Sequence, residues 1–260
     1  MKSKSIRLIS LNTWSGRALY SLTRFFRKRA GDTDIFCLQE VCNSPQAVVD
    51  QRHPDEHVHG PLFDKISAEL KGFEGSFAYF DDDPNRMSLA MFARQDVPLK
   101  TIEDFIVYRP AQPKETGSAV FSARKLQYIT LDLNGREVLI ANYHGLWNNG
   151  PKTDTPERID QSKRIKQFLD GFDGPKILCG DFNLLPETES LQILEKGMRN
   201  LVKDYKIQST RTPLYRHYEN PSEPNFADYI LVSPDVKVKR FEVLSDMVSD
   251  HAALFLEFNY

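Results

Sequence analysis

The sequence predicts a mixed α/β (α+β) fold in which β-sheets pack together and helices cover their outer faces. Short apolar runs separated by polar, proline and glycine residues indicate many strands, and a few helical segments lie between them. No repeat, low-complexity tract or glycine/serine linker divides the 260 residues. We therefore expect a single domain over residues 1–260, a length at which a fold buries about three quarters of its unfolded surface.

The predicted strands follow one another along the whole chain. The first, at 6–12, has the pattern of a mostly buried strand. The others are expected at 34–40, 75–80, 87–93, 100–108, 118–122, 126–133, 138–144, 176–180, 226–232, 236–244 and 253–258. Asn134 and Gly135 between two of these runs are a strong hairpin signal, which makes the flanking strands antiparallel neighbours.

Helices are fewer than strands. Thr155 before Pro156 is typical of a helix start, because threonine caps free backbone amides and proline suits the first turn. The apolar residues that follow share one helical face. Three further helices are expected at 16–29, 61–70 and 186–197.

Composition and charge exclude several classes of protein. The hydrophobic share of 40% and charged share of 27% exclude disorder and collagen. A net charge of −2 argues against a protein that coats nucleic acid by bulk attraction, although local basic patches remain possible. No run approaches the ~20 apolar residues of a spanning helix, so we expect no membrane insertion. Residues 1–14 lack the apolar core of a signal peptide.

The three cysteines are Cys37, Cys42 and Cys179, an odd number. Cys37 and Cys179 lie inside apolar runs, which favours buried thiols in a reducing compartment. We therefore expect a cytoplasmic protein, and we expect it to be a monomer.

Acid, amide and imidazole side chains stand at the ends of predicted strands. Strand ends and loops on a rigid scaffold are where sites are usually built. Each residue also has an ordinary interpretation: Asn12 could form a turn, Glu40 could be a first solvated residue, and Asp181 could cap a helix. The set comprises Asn12, Glu40, His144, Asp181 with Asn183, and Asp250 with His251, and Asp228 lies just inside its strand.

The order and context of these residues resemble the endonuclease/exonuclease/phosphatase superfamily, over residues 6–258. The matching segments are Leu11-Asn12-Thr13-Trp14, Leu38-Gln39-Glu40, Asn142-Tyr143-His144, Gly180-Asp181-Phe182-Asn183, Asp228-Tyr229 and Ser249-Asp250-His251. The Gly-Asp-Phe-Asn and Ser-Asp-His segments are specific in this order, whereas the N-terminal one is looser. The resemblance implies a four-layer sandwich, in which two mixed sheets face each other and helices cover both outer faces.

Convergence of the acids would require a cation. Two carboxylates ~5 Å apart repel by about 3 kcal/mol at an effective dielectric constant near 20. Carboxylate and amide oxygens suit Mg²⁺ or Mn²⁺. With the resemblance, this implies a metal held mainly by Glu40, with Asn12 and Asp250 nearby.

The resemblance also implies a reaction, the hydrolysis of a phosphate ester by in-line attack of water. Asp181 would orient and deprotonate the water, and Asn183 would help to hold it and the phosphate. His251, as an imidazolium fixed by Asp228, would contact the phosphoryl oxygens. His144 would be a second donor, or would protonate the leaving oxygen.

A histidine tract offers a rival metal site. His53, His57 and His59 could bind zinc. Pro54 and the absence of a helical frame favour a loop, for which contact with the substrate is the preferred role.

The residues that would choose the substrate follow the predicted site. Trp147 could stack on a base or anchor a loop, and Lys152 could meet a flanking phosphate. Arg211 could lie beside a phosphate or belong to an ordinary polar loop. Arg158 and Gln161 are expected to brace the site.

The sequence lacks motifs that are typical of several branches of the superfamily, which reduces the number of candidate functions. The segment Leu-Asn-Thr-Trp differs from the Asn-x-Asn-Gly of abasic-site endonucleases, and neither an inositol-phosphatase arginine motif nor a sphingomyelinase-like hydrophobic tail is evident. The leading hypothesis is a Mg²⁺-dependent phosphodiesterase acting on nucleic-acid strands or ends. The alternatives are a phosphatase or phosphodiesterase for a small phosphorylated molecule or lipid headgroup, and a binding module that has lost turnover.

Overall fold

A computed structural model describes residues 5–44, 48–49, 57–58, 60–80, 87–109, 123–133, 135–148, 150–220 and 224–259, with 48–49 and 57–58 described by their backbone alone. The strands are β1 (Ile6–Asn12), β2 (Ile35–Val41), β3 (Val48–Val49), β4 (His57–Val58), β5 (Phe73–Phe77), β6 (Ser88–Arg94), β7 (Leu99–Tyr108), β8 (Arg124–Asp132), β9 (Glu137–His144), β10 (Lys176–Asp181), β11 (Arg199–Asn200), β12 (Asp228–Val232), β13 (Lys237–Val243) and β14 (Leu254–Asn259). The helices are α1 (Leu19–Arg29), α2 (Leu62–Glu69), α3 (Pro156–Asp170), α4 (Glu189–Glu195) and α5 (Leu201–Asp204).

Two six-stranded sheets form the centre of the fold. Their strand orders are β13-β14-β1-β2-β6-β5 and β11-β12-β10-β9-β8-β7. Each sheet contains one parallel pair, β1 with β2 and β9 with β10, and its other neighbours are antiparallel. Because parallel neighbours end at the same edge of a sheet, each sheet has one edge where two strands finish side by side.

Alternating side chains divide the packing into four layers. Leu8 of β1 and Ile140 of β9 belong to the apolar cluster between the sheets, and α3 and α4 pack into the same cluster from the far side of the second sheet. Phe36 of β2 faces the other way and meets Phe26 of α1 at 5.4 Å between ring centres. The predicted four-layer sandwich is therefore confirmed.

The predicted strands are confirmed within the described residues, with ends shifted by up to three residues, and the strand expected at 118–122 lies outside them. The short strands β3, β4 and β11 and the helix α5 were not predicted, because two to four residues carry no periodic signal. The three cysteines are buried free thiols, as predicted.

Capping side chains fix the first residues of two helices. Thr155 caps α3 by accepting a hydrogen bond from the backbone N–H of Arg158, as predicted. The helix predicted from residue 186 begins later, because the side chain of Thr188 caps it. The helix predicted from residue 16 begins at Leu19. No helix in the described part of the chain is both long and apolar enough to cross a membrane.

Candidate active site

The two parallel pairs bring four of the predicted residues together. Asn12 ends β1, His144 ends β9 and Asp181 ends β10, while Glu40 lies one residue before the end of β2. The Asn12 amide nitrogen donates a hydrogen bond of 2.9 Å to Oδ2 of Asp181, which joins the two sheets at this edge. Glu40, His144 and Asp181 offer possible ligand atoms that all lie within 4.8 Å of one another.

Two antiparallel strands begin at the same edge. Asp228 starts β12 directly opposite Asp181, and His251 precedes β14. Nδ1 of His251 lies 2.9 Å from Oδ2 of Asp228. Asp181, Asp228 and His251 form a second group whose ligand atoms fall within 4.8 Å. Six chain segments therefore converge on one point.

Asp181 is the centre of this arrangement and is only 2% exposed. Besides the bond from Asn12, its Oδ2 lies 3.6 Å from Nε2 of His144 and 3.6 Å from Nε2 of His251. Burial raises the pKa of Asp181, but the two imidazoles and nearby cationic groups outweigh it and hold this pKa well below its usual range. Asp181 is thus an ionised hydrogen-bond acceptor at every physiological pH.

The backbone around Asp181 explains the Gly-Asp-Phe-Asn sequence. A Cβ on Gly180 would lie 1.9 Å from the carbonyl oxygen of Tyr143, so only glycine allows β9 and β10 to approach this closely. Asn183 adopts a left-handed conformation with φ of 52°. Its backbone N–H donates to Oδ1 of Asp181 at 2.9 Å, which leaves Oδ2 to face the site.

Glu40 owes its position to an irregularity in β2. The register between β2 and β6 shifts between Leu38 and Val41, and Glu40 has a left-handed φ of 54°. Such a conformation costs about 1–2 kcal/mol in a non-glycine residue, and bulges of this kind re-aim side chains at active sites. The Ser15 hydroxyl donates to Oε2 of Glu40 at 3.1 Å. Burial raises the pKa of Glu40, but the two imidazoles outweigh it, so its pKa is lowered.

The pKa values of the two histidines are shifted in opposite directions. Burial and Arg211 lower the pKa of His251, but Asp228 and neighbouring carboxylates raise it more, so the balance is upward. Burial and Arg124 lower the pKa of His144 to about 4. His144 is therefore neutral at pH 7, whereas His251 holds its proton to a higher pH than an ordinary imidazole.

Asp250 and Arg211 form a buried ion pair beside the centre. Nη1 of Arg211 donates to Oδ2 of Asp250 at 2.9 Å, and the guanidinium lies 4.5 Å from the ring centre of Tyr215. Neither group of possible metal ligands includes Asp250 among the described residues. Metal binding by Asp250 and phosphate contact by Arg211 both stay predictions.

Lys152 and Trp147 lie on the loop after β9. Nζ of Lys152 donates to the carbonyl oxygen of Phe226 at 3.0 Å and lies 5.8 Å from the ring centre of Tyr215. Burial and Arg211 lower the pKa of Lys152 to about 8. Trp147 is partly exposed on the same loop. Their contacts with substrate stay predictions.

Arg158 and Gln161 of α3 hold this loop in place. Arg158 donates to the carbonyl oxygens of Leu146 at 3.2 Å and Pro151 at 2.8 Å, and Oε1 of Gln161 accepts from the Leu146 N–H at 3.1 Å. The expected bracing role is confirmed.

Three residues that support the site were given no role in the sequence analysis. Gln39 donates to Oδ1 of Asn142 at 2.7 Å and ties the sheets together beneath the site. Gln39 and Asn142 are polar residues inside apolar runs, and that pattern could have indicated their pairing. Arg124, which donates to the Gly145 carbonyl at 3.0 Å, gave no such signal, because its strand pairing sets its position. Of the histidine tract, His53 and His59 lie outside the described residues, and only the backbone of His57 is described.

The structure is thus a sandwich of two facing sheets with clustered acids and imidazoles at one edge. Residues 9–251 match the Endonuclease/Exonuclease/phosphatase family. The chain belongs to this family, which confirms the resemblance inferred from its motifs. No curated protein sequence matches the chain significantly.

Solved structures share the fold at low sequence identity. An endonuclease/exonuclease/phosphatase family protein from Bacteroides thetaiotaomicron is 21% identical, with a TM-score of 0.72 over 98% of this chain and 95% of that chain. A mannosyl-6-phosphatase from the same species is 20% identical, with a TM-score of 0.68 over 98% and 100%. A humanized D. rerio TDP2 is 15% identical, with a TM-score of 0.70 over 98% and 99%.

Proposed function

We propose that the protein is a divalent-metal-dependent phosphodiesterase that hydrolyses nucleic acid. The observation that carries the proposal is the environment of Asp181, whose Oδ2 meets one amide and two imidazoles from both sheets. A buried carboxylate with such partners and a pKa far from normal is typical of a catalytic centre. A surface that only binds would gain nothing from holding repelling carboxylates together.

The donor set fits a hard divalent cation. Glu40 and Asp181 supply carboxylate oxygens whose lowered pKa values keep them ionised. We assign Glu40 as the main ligand, with Asn12 and Asp250 nearby, and Mg²⁺ or Mn²⁺ as the ion. When bound, such an ion supplies a Lewis acid that neutralises charge on the phosphoryl and leaving oxygens.

The remaining residues divide the work on water and phosphate. Asp181 orients the attacking water through Oδ2 and receives its proton as the new phosphorus–oxygen bond forms and the bond from phosphorus to the leaving oxygen breaks. Asn183 is next to it and would hold the water and the phosphate. His251 contacts the phosphoryl oxygens as an imidazolium, because Asp228 stabilises its charge. His144 is neutral at pH 7 and acts as a hydrogen-bond donor rather than as the acid for the leaving oxygen.

The surroundings favour a strand of nucleic acid. Lys152 and Arg211 both face the ring of Tyr215, so cations and an aromatic ring lie next to the centre. Such a combination suits a flanking phosphate and a base. Trp147 would add a second aromatic contact. One observation favours a small phosphosugar instead, namely that the mannosyl-6-phosphatase is about as similar in structure as TDP2.

A substrate panel tests the proposal. Purified protein is assayed on single-stranded and double-stranded oligonucleotides, mannose 6-phosphate and bis(p-nitrophenyl) phosphate, with Mg²⁺ or Mn²⁺ and with EDTA. We expect metal-dependent product release from an oligonucleotide, abolished by EDTA. Hydrolysis of the sugar phosphate alone would favour the second candidate function, a phosphatase for a small phosphosugar. No hydrolysis of any phosphoester would reject both.

A further inference from the structure

We infer that a row of aromatic and basic side chains beside the active site binds a single strand of nucleic acid. The row, named here the basic-aromatic strip, comprises Trp14, Arg17, Tyr20 and Arg24. It runs from the turn after β1 into α1. The inference rests on the proposed function, because it takes the bound strand to be the one that is cleaved.

The aromatic members of the strip are paired with its basic members. Tyr20 is 74% exposed, the largest fraction among the bulky apolar side chains of the described residues. The Arg24 guanidinium lies 5.5 Å from the Tyr20 ring centre, and the Arg17 guanidinium lies 5.6 Å from the Trp14 ring centre. Tyr20 and Arg24 are four residues apart on α1 and share one face. Every nucleotide offers a ring face and a phosphate to such a pair.

Charge on the same helix distinguishes the strip from an ordinary basic surface. Arg27 donates two hydrogen bonds of 2.8 Å to Glu69, and Lys28 and Arg29 both bind Asp246. Within the described part of the chain Arg24 has no acidic partner, and its contact is the tyrosine ring. Among the basic residues of the described helix from Arg24 to Arg29, Arg24 is therefore the one whose charge a phosphate would compensate.

The strip is attached to the active centre. The Trp14 backbone N–H donates to Oδ1 of Asn12 at 2.9 Å, and Ser15 holds Glu40 through its hydroxyl. Trp14 and Ser15 both have left-handed backbones, with φ of 50° and 54°, so these bonds hold a strained turn. A strand stacked on the strip would therefore lead directly to the residues around Asp181.

Binding of a labelled strand tests the strip. The probe is a fluorescein-labelled oligothymidylate of about ten nucleotides, within the site sizes of single-strand grooves, with EDTA present to prevent cleavage. Tyr20→Ala should weaken binding about tenfold and Tyr20→Phe should not, because the ring makes the contact. Arg24→Ala should weaken binding and reduce the slope of log K against log salt by about 0.7. Arg27→Ala, the matched control on the same helix, should leave both quantities unchanged.

The outcomes separate this inference from the proposed function. Turnover of bis(p-nitrophenyl) phosphate should be the same in every variant, because that substrate is too small to reach the strip. If the unaltered protein cleaves oligonucleotides and Tyr20→Ala and Arg24→Ala bind the probe as well as it does, the strip is rejected and the function stands. If the unaltered protein neither binds nor cleaves oligonucleotides, both fail. If Tyr20→Ala loses binding to anionic phosphatidylserine vesicles while probe binding persists, the strip belongs to a membrane surface and the inference is overturned.

Discussion

The two sides of the active centre use the same residue type to opposite effect. His251 and His144 each place Nε2 at 3.6 Å from Oδ2 of Asp181. His251 also has Asp228 at 2.9 Å from its other ring nitrogen, and its pKa is raised. Burial and, after it, the nearby guanidinium of Arg124 lower the pKa of His144 to about 4. Burial lowers the pKa of both imidazoles, so the charged groups beyond the shared carboxylate decide which of the two holds its proton to the higher pH.

This asymmetry assigns roles that the residue types alone leave open. When neighbouring titratable groups have their pKa values pushed apart, one can hold a charge while the other remains neutral. His251 is suited to stabilising negative charge on a phosphoryl group, and His144 to donating a neutral hydrogen bond. Removing or altering these contacts one at a time tests the asymmetry.

Removing the charge of Asp181 should have the largest effect, since both histidines depend on it. We expect Asp181→Asn to lower the rate of oligonucleotide hydrolysis at least ~10²-fold, the usual scale for a positioned base, without loss of the fold. Steady-state kinetics and circular dichroism check this. Asp160→Asn, an exposed acid of α3 paired with Arg164, is the control and should retain full activity. If Asp181→Asn were as active as the unaltered protein, the role of Asp181 as the base would be rejected.

The His251 side should set the alkaline limit of activity. The imidazolium exists below the raised pKa of His251 and is lost as pH rises through it. Asp228→Asn removes a cause of that elevation, so the alkaline decline of the rate should move about one unit to lower pH, the size of a single opposite-charge effect. The pH profile of kcat/KM measures the shift.

Lys152 provides the control for that profile, because its pKa of about 8 means that it also loses its proton on the alkaline side of neutrality. Lys152→Arg keeps the positive charge at all relevant pH values. The alkaline limb should therefore persist in this variant. Its disappearance would assign the limb to Lys152 and contradict the role given to His251.

The sequence predicted those features that depend on local or periodic requirements of single residue types. Thr155 predicted the start of α3, and the apolar runs predicted the sandwich, because capping and burial are local or periodic requirements. The strand-end residues could be collected as a set because their order and sequence context resemble one family. Their convergence, with Asn12 bonded to Asp181 across two sheets, needed the structure.

The sequence did not show which charged side chains contact each other in the site. Asp250 is predicted to be near a metal, and it also binds Arg211 in an ion pair that no spacing of residues reveals. The neutral state of His144 likewise depends on its burial and on Arg124 from another strand. Such properties arise from contacts between segments far apart in the chain, and a pattern along one segment contains no record of them.

The His144 side should make the metal-free protein less stable in acid. The pKa of this imidazole is about 4 when folded, against an ordinary value of 6.5, so the unfolded chain binds more protons between those values. Stability should fall as pH drops through that window. His144→Gln should lose this component, so its Tm should fall by several degrees less than that of the unaltered protein between about pH 7 and pH 5. Thermal unfolding with EDTA measures it, and parallel losses in the two proteins would contradict the assignment.

The smallest effect should come from Arg124, which contributes to the low pKa of His144 after burial. Arg124→Gln removes that contribution, so the pKa of His144 should rise but remain below 6.5, since burial persists. Imidazole proton shifts followed by NMR in the metal-free protein report this value directly. His251 should titrate at its raised pKa in the same spectra. If both imidazoles titrate together in the unaltered protein, or the pKa of His144 is the same with and without Arg124, then Asp228 and Arg124 together do not account for the asymmetry.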